Sequence, residues 1–196
     1  MNQDSREENW CQAHLADEKL WRLLEKVDGD LLQVGLAAGC LLCGGKLHRA
    51  DYKRQPRGGP EWDRRFSACC AEEGCRRRRT PPSVRFLGRR VYAGFVVVLV
   101  AAMMHGLKPE RVQRIREQLG IDRRTLERWR AWWLGTFVES AFWKASKGRF
   151  MPPVDEKALP SSLVQAFDAE CTDGLRRLLE FLAPLTTRGV RTDRVM

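Results

Sequence analysis

The chain of 196 residues sets 35 Lys+Arg against 25 Asp+Glu, a formal net charge of +10, and its 43% hydrophobic content is that of a folded protein. The length suits one domain or two or three small modules, and the acidic, polar start from Met1 to Glu8 reads as neither a secretory signal nor a transit peptide. The longest uncharged apolar run, Val91 to Met104, has 14 residues, short of the roughly 20 that span a bilayer, so no membrane association is expected.

Residues 1–39 hold 4 basic and 8 acidic groups and form an N-terminal helical segment. Leu20, Leu23, Leu24 and Val27 recur there at helical spacing. Asp28-Gly29-Asp30 reads as a stop and restart, with Leu31 to Ala38 as a short second helix. Gly39 opens a different regime. Residues 40–80 are rich in Cys, Gly and Arg and show turn signals in place of a helical period. Thr80-Pro81-Pro82-Ser83 is a linker, since paired prolines continue neither helix nor ladder.

From Arg89 the pattern is helical again. Val91–Met104 reads as a buried helix rather than a strand, because it is long for a strand. Pro109 suits the first turn of a helix running to Leu119, Gly120 its left-handed end, and Asp122 the cap of a further helix to about Leu134. This second helical region spans 84–150. Met151-Pro152-Pro153 breaks the chain, and residues 154–185 form a C-terminal helical segment. Ser161 is its expected cap and Leu175, Leu178, Leu179 and Leu182 its apolar stripe.

Charge follows this division. Residues 40–90 hold 14 basic and 5 acidic groups and residues 91–150 hold 11 and 5, whereas residues 151–196 hold 6 and 7. A middle section of +15 between two acidic ends is where a polyanion would bind.

Seven cysteines in a chain expected to be cytoplasmic, and nucleoid-associated, suggest metal ligands rather than disulfides. Cys40 and Cys43 form a C-x2-C pair followed by Gly44 and Gly45, a spacing that lets both sulfurs reach one ion. Cys70 and Cys75 form a C-x4-C pair with Gly74 inside the turn. The intervening residues suffice for a small hairpin, and a four-thiolate structural Zn2+ site is the natural product. Cys69 could stand in for Cys70, and His48 could displace a thiolate. Cys11 and Cys171, single and in helical patterns, read as small core residues.

The segment from Val112 to Arg130 has the layout of a DNA-binding helix-turn-helix. Ile115 and Leu119 face inward, Gly120 makes the turn, Ile121 plugs the corner, and Leu126, Trp129 and Trp133 anchor the second helix. The opposite face carries Arg124, Glu127 and Arg128, with Arg123, Thr125 and Arg130 at its margins, a set suited to bases and phosphates of a major groove. Val91–Met104 would supply the third helix. Arg76, Arg77, Arg78 and Arg79 follow the last cysteine of the pair, and Arg85, Arg89 and Arg90 precede the helices. These runs are the expected phosphate contacts.

The cysteine pairs followed by the run from Gly120 to Arg130 resemble the zinc-ribbon plus helix-turn-helix front end of bacterial insertion-sequence transposases. They also look like small stand-alone zinc-ribbon proteins associated with such elements. Arg116 departs from that pattern, standing where the first helix normally carries a small residue. The resemblance implies recognition of element ends or of a regulatory site, with Cys40, Cys43, Cys70 and Cys75 holding zinc.

The fold class expected is mainly α with a small β zinc ribbon, a three-helix helix-turn-helix core being flanked by N- and C-terminal helices. The expected partner is double-stranded DNA, with a homodimer or a transposase as a further partner. No acidic triad on a sheet, nucleophile set or phosphate-cradling loop is recognisable, so no enzymatic activity is expected. Two rival functions are an RNA or single-strand binding module, whose exposed bases would stack on the aromatics between Trp129 and Phe150, and a zinc-dependent protein-interaction adaptor. The aromatic spacing favours a core role.

Overall fold

A computed structural model describes residues 13–57, 59–87, 92–102 and 109–187. The protein is mainly helical with a small antiparallel sheet. The described residues fall into two compact units, one within Asp17–Gly94 and Leu179–Gly189, the other within Met1–Ala16 and Phe95–Leu178.

In the first unit, α1 (Glu18–Ala37) starts at Asp17, whose carboxylate accepts the backbone N–H groups of Lys19 and Leu20 at 2.9 and 3.2 Å. Its buried stripe is Leu20, Trp21, Leu24, Asp28, Leu32 and Gly35. The break expected at Asp28-Gly29-Asp30 does not occur, and α1 is one helix. Asp28 falls on the inward stripe between Leu24 and Leu32, and there it pairs with Arg85 and accepts from Ser83 and Val84 rather than capping a new start.

The ribbon follows. Strand β1 (Leu47–Arg49) pairs antiparallel with β4 (Ala68–Cys70), and β4 with β5 (Arg78–Arg79), while β2 (Tyr52–Lys53) and β3 (Arg64–Arg65) form a separate hairpin. The register sets Leu47 opposite Cys70 and His48 opposite Cys69. Alternation then turns Leu47, Ala68 and Cys70 inward, where they pack with Phe66 against Leu32 and Leu36 of α1. The N-terminal helix and the ribbon thus share one core.

A charged cluster lies beside that core. Arg85, Asp28 and Asp63 are all fully buried. The Arg85 guanidinium donates Nε to Asp28 at 2.9 Å, Nη1 to Asp63, and Nη2 to the Arg64 carbonyl at 3.0 Å. Asp28 also accepts from the Ser83 hydroxyl at 2.6 Å and from the Val84 amide at 2.7 Å. Arg65, likewise buried, donates Nη2 to the Pro81 carbonyl at 2.5 Å. Helix, hairpin and linker are therefore joined by charge-assisted hydrogen bonds.

The second unit contains most of α2 (Gly94–Ala102), whose Phe95 to Val100 are buried on all sides, as a core helix requires. Next come α3 (Pro109–Leu119) and α4 (Arg123–Ala131), separated by Gly120 at φ +63°, Ile121, and Asp122. The Asp122 side chain accepts the Thr125 amide at 2.6 Å, a bond that holds its carboxyl below the ordinary carboxylate range. A π-helical segment, Trp132–Phe137, extends α4 and turns Trp133 and Phe137 inward together. After it come α5 (Ala141–Ser146), α6 (Ser161–Ala166) and α7 (Thr172–Leu182).

The aromatics form a ladder through this unit: Trp133 to Phe137 at 4.8 Å, Phe137 to Trp143 at 5.1 Å, Trp143 to Phe150 at 5.9 Å and Phe150 to Phe167 at 5.7 Å. Trp143 donates its indole N–H to Glu156 at 2.9 Å, giving the one polar atom of a buried ring its partner. Ser161 does not cap α6; its hydroxyl donates to the Ala158 carbonyl at 2.6 Å, and Pro160 holds the cap position. Cys171 is exposed rather than core: its Sγ donates to the Asp168 carbonyl at 3.2 Å and accepts the Gly174 amide at 3.3 Å just ahead of α7. No helix among the described residues is long and apolar enough to cross a membrane.

The buried cluster generates two expectations. Replacing Arg85 by Met strands two buried carboxylates and should cost about 3–5 kcal/mol in a urea unfolding titration. Burial pushes the Asp63 carboxyl up from 3.8 to about 6 despite the attraction of Arg85. The folded state then binds this proton more tightly than the unfolded chain, so stability should fall as pH rises between about 4 and 6 and stay level above. Unfolding free energies measured across that window should lose this descent in Asp63→Asn; parallel curves for the two proteins would refute it.

Candidate metal centre and basic surfaces

Two turns of similar design face each other at one end of the ribbon. In the first, Gly44 at φ +70° lets the chain reverse tightly, its amide bonding the Cys40 carbonyl at 2.9 Å while the Cys40 amide bonds the Gly45 carbonyl at 2.9 Å. In the second, the amides of Cys75 and Arg76 both bond the Glu72 carbonyl at 3.0 Å, and Arg76 takes φ 44°. Pairing of β1 with β4 brings the turns together.

The result is a cluster of four sulfurs, from Cys40, Cys43, Cys70 and Cys75, all within 4.8 Å of one another. Cys40 and Cys75 Sγ lie 3.7 Å apart, and Cys43 and Cys70 Sγ 3.5 Å. A tetrahedral ion with metal–sulfur bonds of about 2.3 Å requires edges of about 3.8 Å. The cluster is therefore compatible with a single metal ion bound by four thiolates.

The turns also prepare the thiolates. The backbone N–H groups of Cys43 and then Leu42 hold the Cys40 thiol down to about 6. At Cys70 the Glu72 amide is the largest influence and pulls the same way, but burial and the neighbouring thiols push that group up to about 12. Without a cation, one ionised sulfur suppresses ionisation of its neighbours. A divalent ion removes that conflict, so metal binding must release protons and weaken in acid.

Cys69 stands outside this cluster. Its Sγ is half-buried and donates to the Arg76 carbonyl at 3.4 Å, and His48 is its exposed cross-strand neighbour. Pleat alternation separates Cys69 from Cys70, and of the two only Cys70 reaches the ligand set.

The basic residues singled out in the sequence fall into different environments. Arg77 is exposed, and Arg76 lies 4.0 Å from Glu73. Arg78 donates to the Ala50 carbonyl at 2.9 Å and to the Ser67 hydroxyl at 3.0 Å, and Arg79 to the Gly39 carbonyl at 3.4 Å, so both brace the ribbon. Arg85 is no surface group at all, being consumed by the buried cluster. Arg89 and Arg90 lie outside the described residues.

On α4, Arg123, Arg124, Glu127, Arg128 and Arg130 are exposed. Arg123 pairs with Glu127 at 2.8 Å. Thr125 is buried, and its hydroxyl accepts from Arg128 at 2.9 Å. It therefore orients Arg128 instead of presenting itself to a ligand.

The centre predicts a specific titration. Cobalt(II) should bind with one ion per chain and give the absorption of a tetrahedral four-thiolate complex. That spectrum should survive Cys69→Ser and His48→Ala and be lost or altered in Cys70→Ser. A spectrum insensitive to Cys70→Ser would remove this residue from the ligand set.

No protein-family model, no curated protein and no solved structure matches this chain.

Proposed function

We propose that the protein is a sequence-specific binder of double-stranded DNA, with a structural zinc ribbon and a helix-turn-helix whose second helix is α4. The observation that carries this reading is the division of α4. Leu126 and Trp129 are buried, while Arg123, Arg124, Glu127, Arg128 and Arg130 face solvent on a helix capped by Asp122. Gly120 in the left-handed region and the buried Ile121 supply the corner such a motif needs. Arg116, where a small residue is usual, is exposed and so takes no space from the core.

Arg124 and Arg128 are the base-reading residues, since a guanidinium pairs bidentately with guanine, and Glu127 accepts from cytosine. Arg77, with Arg76 beside it, contacts phosphates. Zinc is the ion of choice for four thiolates at this spacing, and a closed four-ligand site supplies shape rather than a reaction step. The biological role is recognition of mobile-element ends or of a regulatory site, with a transposase or a second copy as partner.

Selection of duplexes from a random pool, followed by titration against salt, tests the assignment. Specific binding should weaken steeply as salt rises. Arg128→Ala should cost about 1–3 kcal/mol on the selected site and relax its sequence preference. Arg77→Ala should weaken all duplexes equally and lower the salt slope by about 0.9. Equal losses on selected and random duplexes for both variants would refute the groove assignment.

A further inference from the structure

Strands β2 and β3 carry a pairing that sheets ordinarily avoid. The register sets Lys53 directly opposite Arg64 and Tyr52 opposite Arg65. Arg65 is buried and Tyr52 half-buried, so alternation turns Lys53 and Arg64 together to the outer face, where both are exposed. Side chains opposed in this way have Cβ atoms about 4.5–5.5 Å apart, and like charges there destabilise the ladder. Arg54 adds a third cation beside the pair. Its guanidinium lies 5.9 Å from the centre of the Phe86 ring and that of Arg65 5.6 Å from the same ring, which ties Arg54 to the hairpin.

The neighbouring carboxylates do not neutralise this pair. Asp51, just ahead of Tyr52, accepts from Arg49 at 2.5 Å and from the Ser67 amide at 3.1 Å. Asp63, just ahead of Arg64, is buried and turned to Arg85. Glu18 and Glu25 of α1 pair with Arg22, whose guanidinium lies 3.9 Å from the ring centre of Trp62. Glu61 is exposed and close in sequence, yet among the described residues it forms no ion pair, and neither do Lys53 and Arg64. The face also lacks an apolar centre. The large hydrophobic residues exposed among the described residues are Val34, Leu41, Leu42, Leu134 and Met151, all outside the hairpin. A protein partner needs such a centre to desolvate, whereas a phosphate backbone needs only cations.

We propose that the outer face of the β2–β3 hairpin, with Lys53 and Arg64 at its centre and Arg54 at its edge, is a second contact for duplex DNA that grips the phosphate backbone without reading sequence. The proposal rests on the duplex reading above and adds a site to α4 and Arg77. A phosphate between Lys53 and Arg64 replaces their mutual repulsion with two attractions. Their long side chains can also part to reach successive phosphates of one strand. Neither cation meets a base edge in this role, so the contact adds affinity and salt dependence while α4 keeps the choice of sequence.

The test titrates salt against affinity for a selected and a random duplex in the full chain carrying Lys53→Gln with Arg64→Gln. A charge-matched control carries Arg149→Gln with Lys157→Gln, exposed cations of the other unit that form no ion pair among the described residues. The hairpin variant should lower the salt slope by about 1.8, or about 0.9 for each phosphate no longer neutralised, and weaken both duplexes by the same factor. The control should keep the parent's slope. Removing a like-charge rung should leave the urea midpoint of the hairpin variant equal to the parent's or above it, whereas a structural role would lower it. The proposal is overturned by an unchanged slope, by an equal fall in the control, or by a lowered midpoint. Tighter Lys53- and Arg64-dependent binding to polyglutamate or to phosphatidylcholine–phosphatidylserine vesicles than to duplex at the same salt would overturn it equally. A parent that binds both duplexes alike refutes the α4 reading alone, and the slopes still score the hairpin; a parent that binds neither refutes both.

Discussion

The guanidinium of Arg85 sits with no solvent exposure between Asp28 of α1 and Asp63 of the hairpin, and the geometry of the first unit depends on it. Burying such groups costs several kcal/mol per ion, and their mutual attraction offsets that only when almost every donor and acceptor is used. Here Arg85 engages two carboxylates and the Arg64 carbonyl, and Asp28 engages Ser83 and Val84 as well. Arg65, buried nearby, donates to the Pro81 carbonyl rather than to a carboxylate, and Asp63 keeps one oxygen without a partner. Apolar packing of Leu32 on Phe66 would tolerate small slides of the helix over the ribbon. The charged cluster tolerates none, because any slide strands a buried charge.

That constraint bears on the metal centre through the shared core. The sheet has strands of two or three residues, too short to hold together by ladder bonds alone. Its inner face needs α1, whose Leu32 and Leu36 close over Cys70 and Phe66. Four thiolates on one ion would fix the far end of the same sheet, as small scaffolds with little core require. A bound ion and the arginine cluster would thus both act on one small apolar layer, the ion through Cys40 and Cys70 and Arg85 through Phe66.

The features legible in the sequence are those in which a local rule decides the structure. Cys40, Cys43, Cys70 and Cys75 meet because short turns and a hairpin leave few alternatives. Gly120 and Asp122 end and begin helices through backbone geometry that each residue type carries with it. Asp28 and Arg85 were opaque for the opposite reason. Asp-Gly-Asp resembles a helix stop until Asp28 acquires a partner 57 residues away, and an arginine near other arginines resembles a surface cluster. The available signal was placement: Asp28 on an apolar stripe, and Arg85 between Val84 and Phe86 in a buried run. Thr125 was misleading in the same way, since its spot on α4 is set by the Asp122 cap and the Arg128 bond rather than by the groove face.

Net charge overstates the surface available to a polyanion for the same physical reason. Of the basic groups between residues 40 and 90, Arg65 and Arg85 are buried, and Arg78 and Arg79 donate to backbone carbonyls of the ribbon. Arg49 bonds Asp51 at 2.5 Å and stacks on Phe66. Among the described residues, what remains at the surface is narrower and includes Lys46, Lys53, Arg64, Arg76 and Arg77 on the ribbon, and the arginines of α4. A counterion-release slope reports phosphates neutralised, not arginines in the composition. Any slope measured with a polyanion would therefore reflect the smaller, exposed group. Arg65, Arg78, Arg79 and Arg85 instead hold the ribbon in shape.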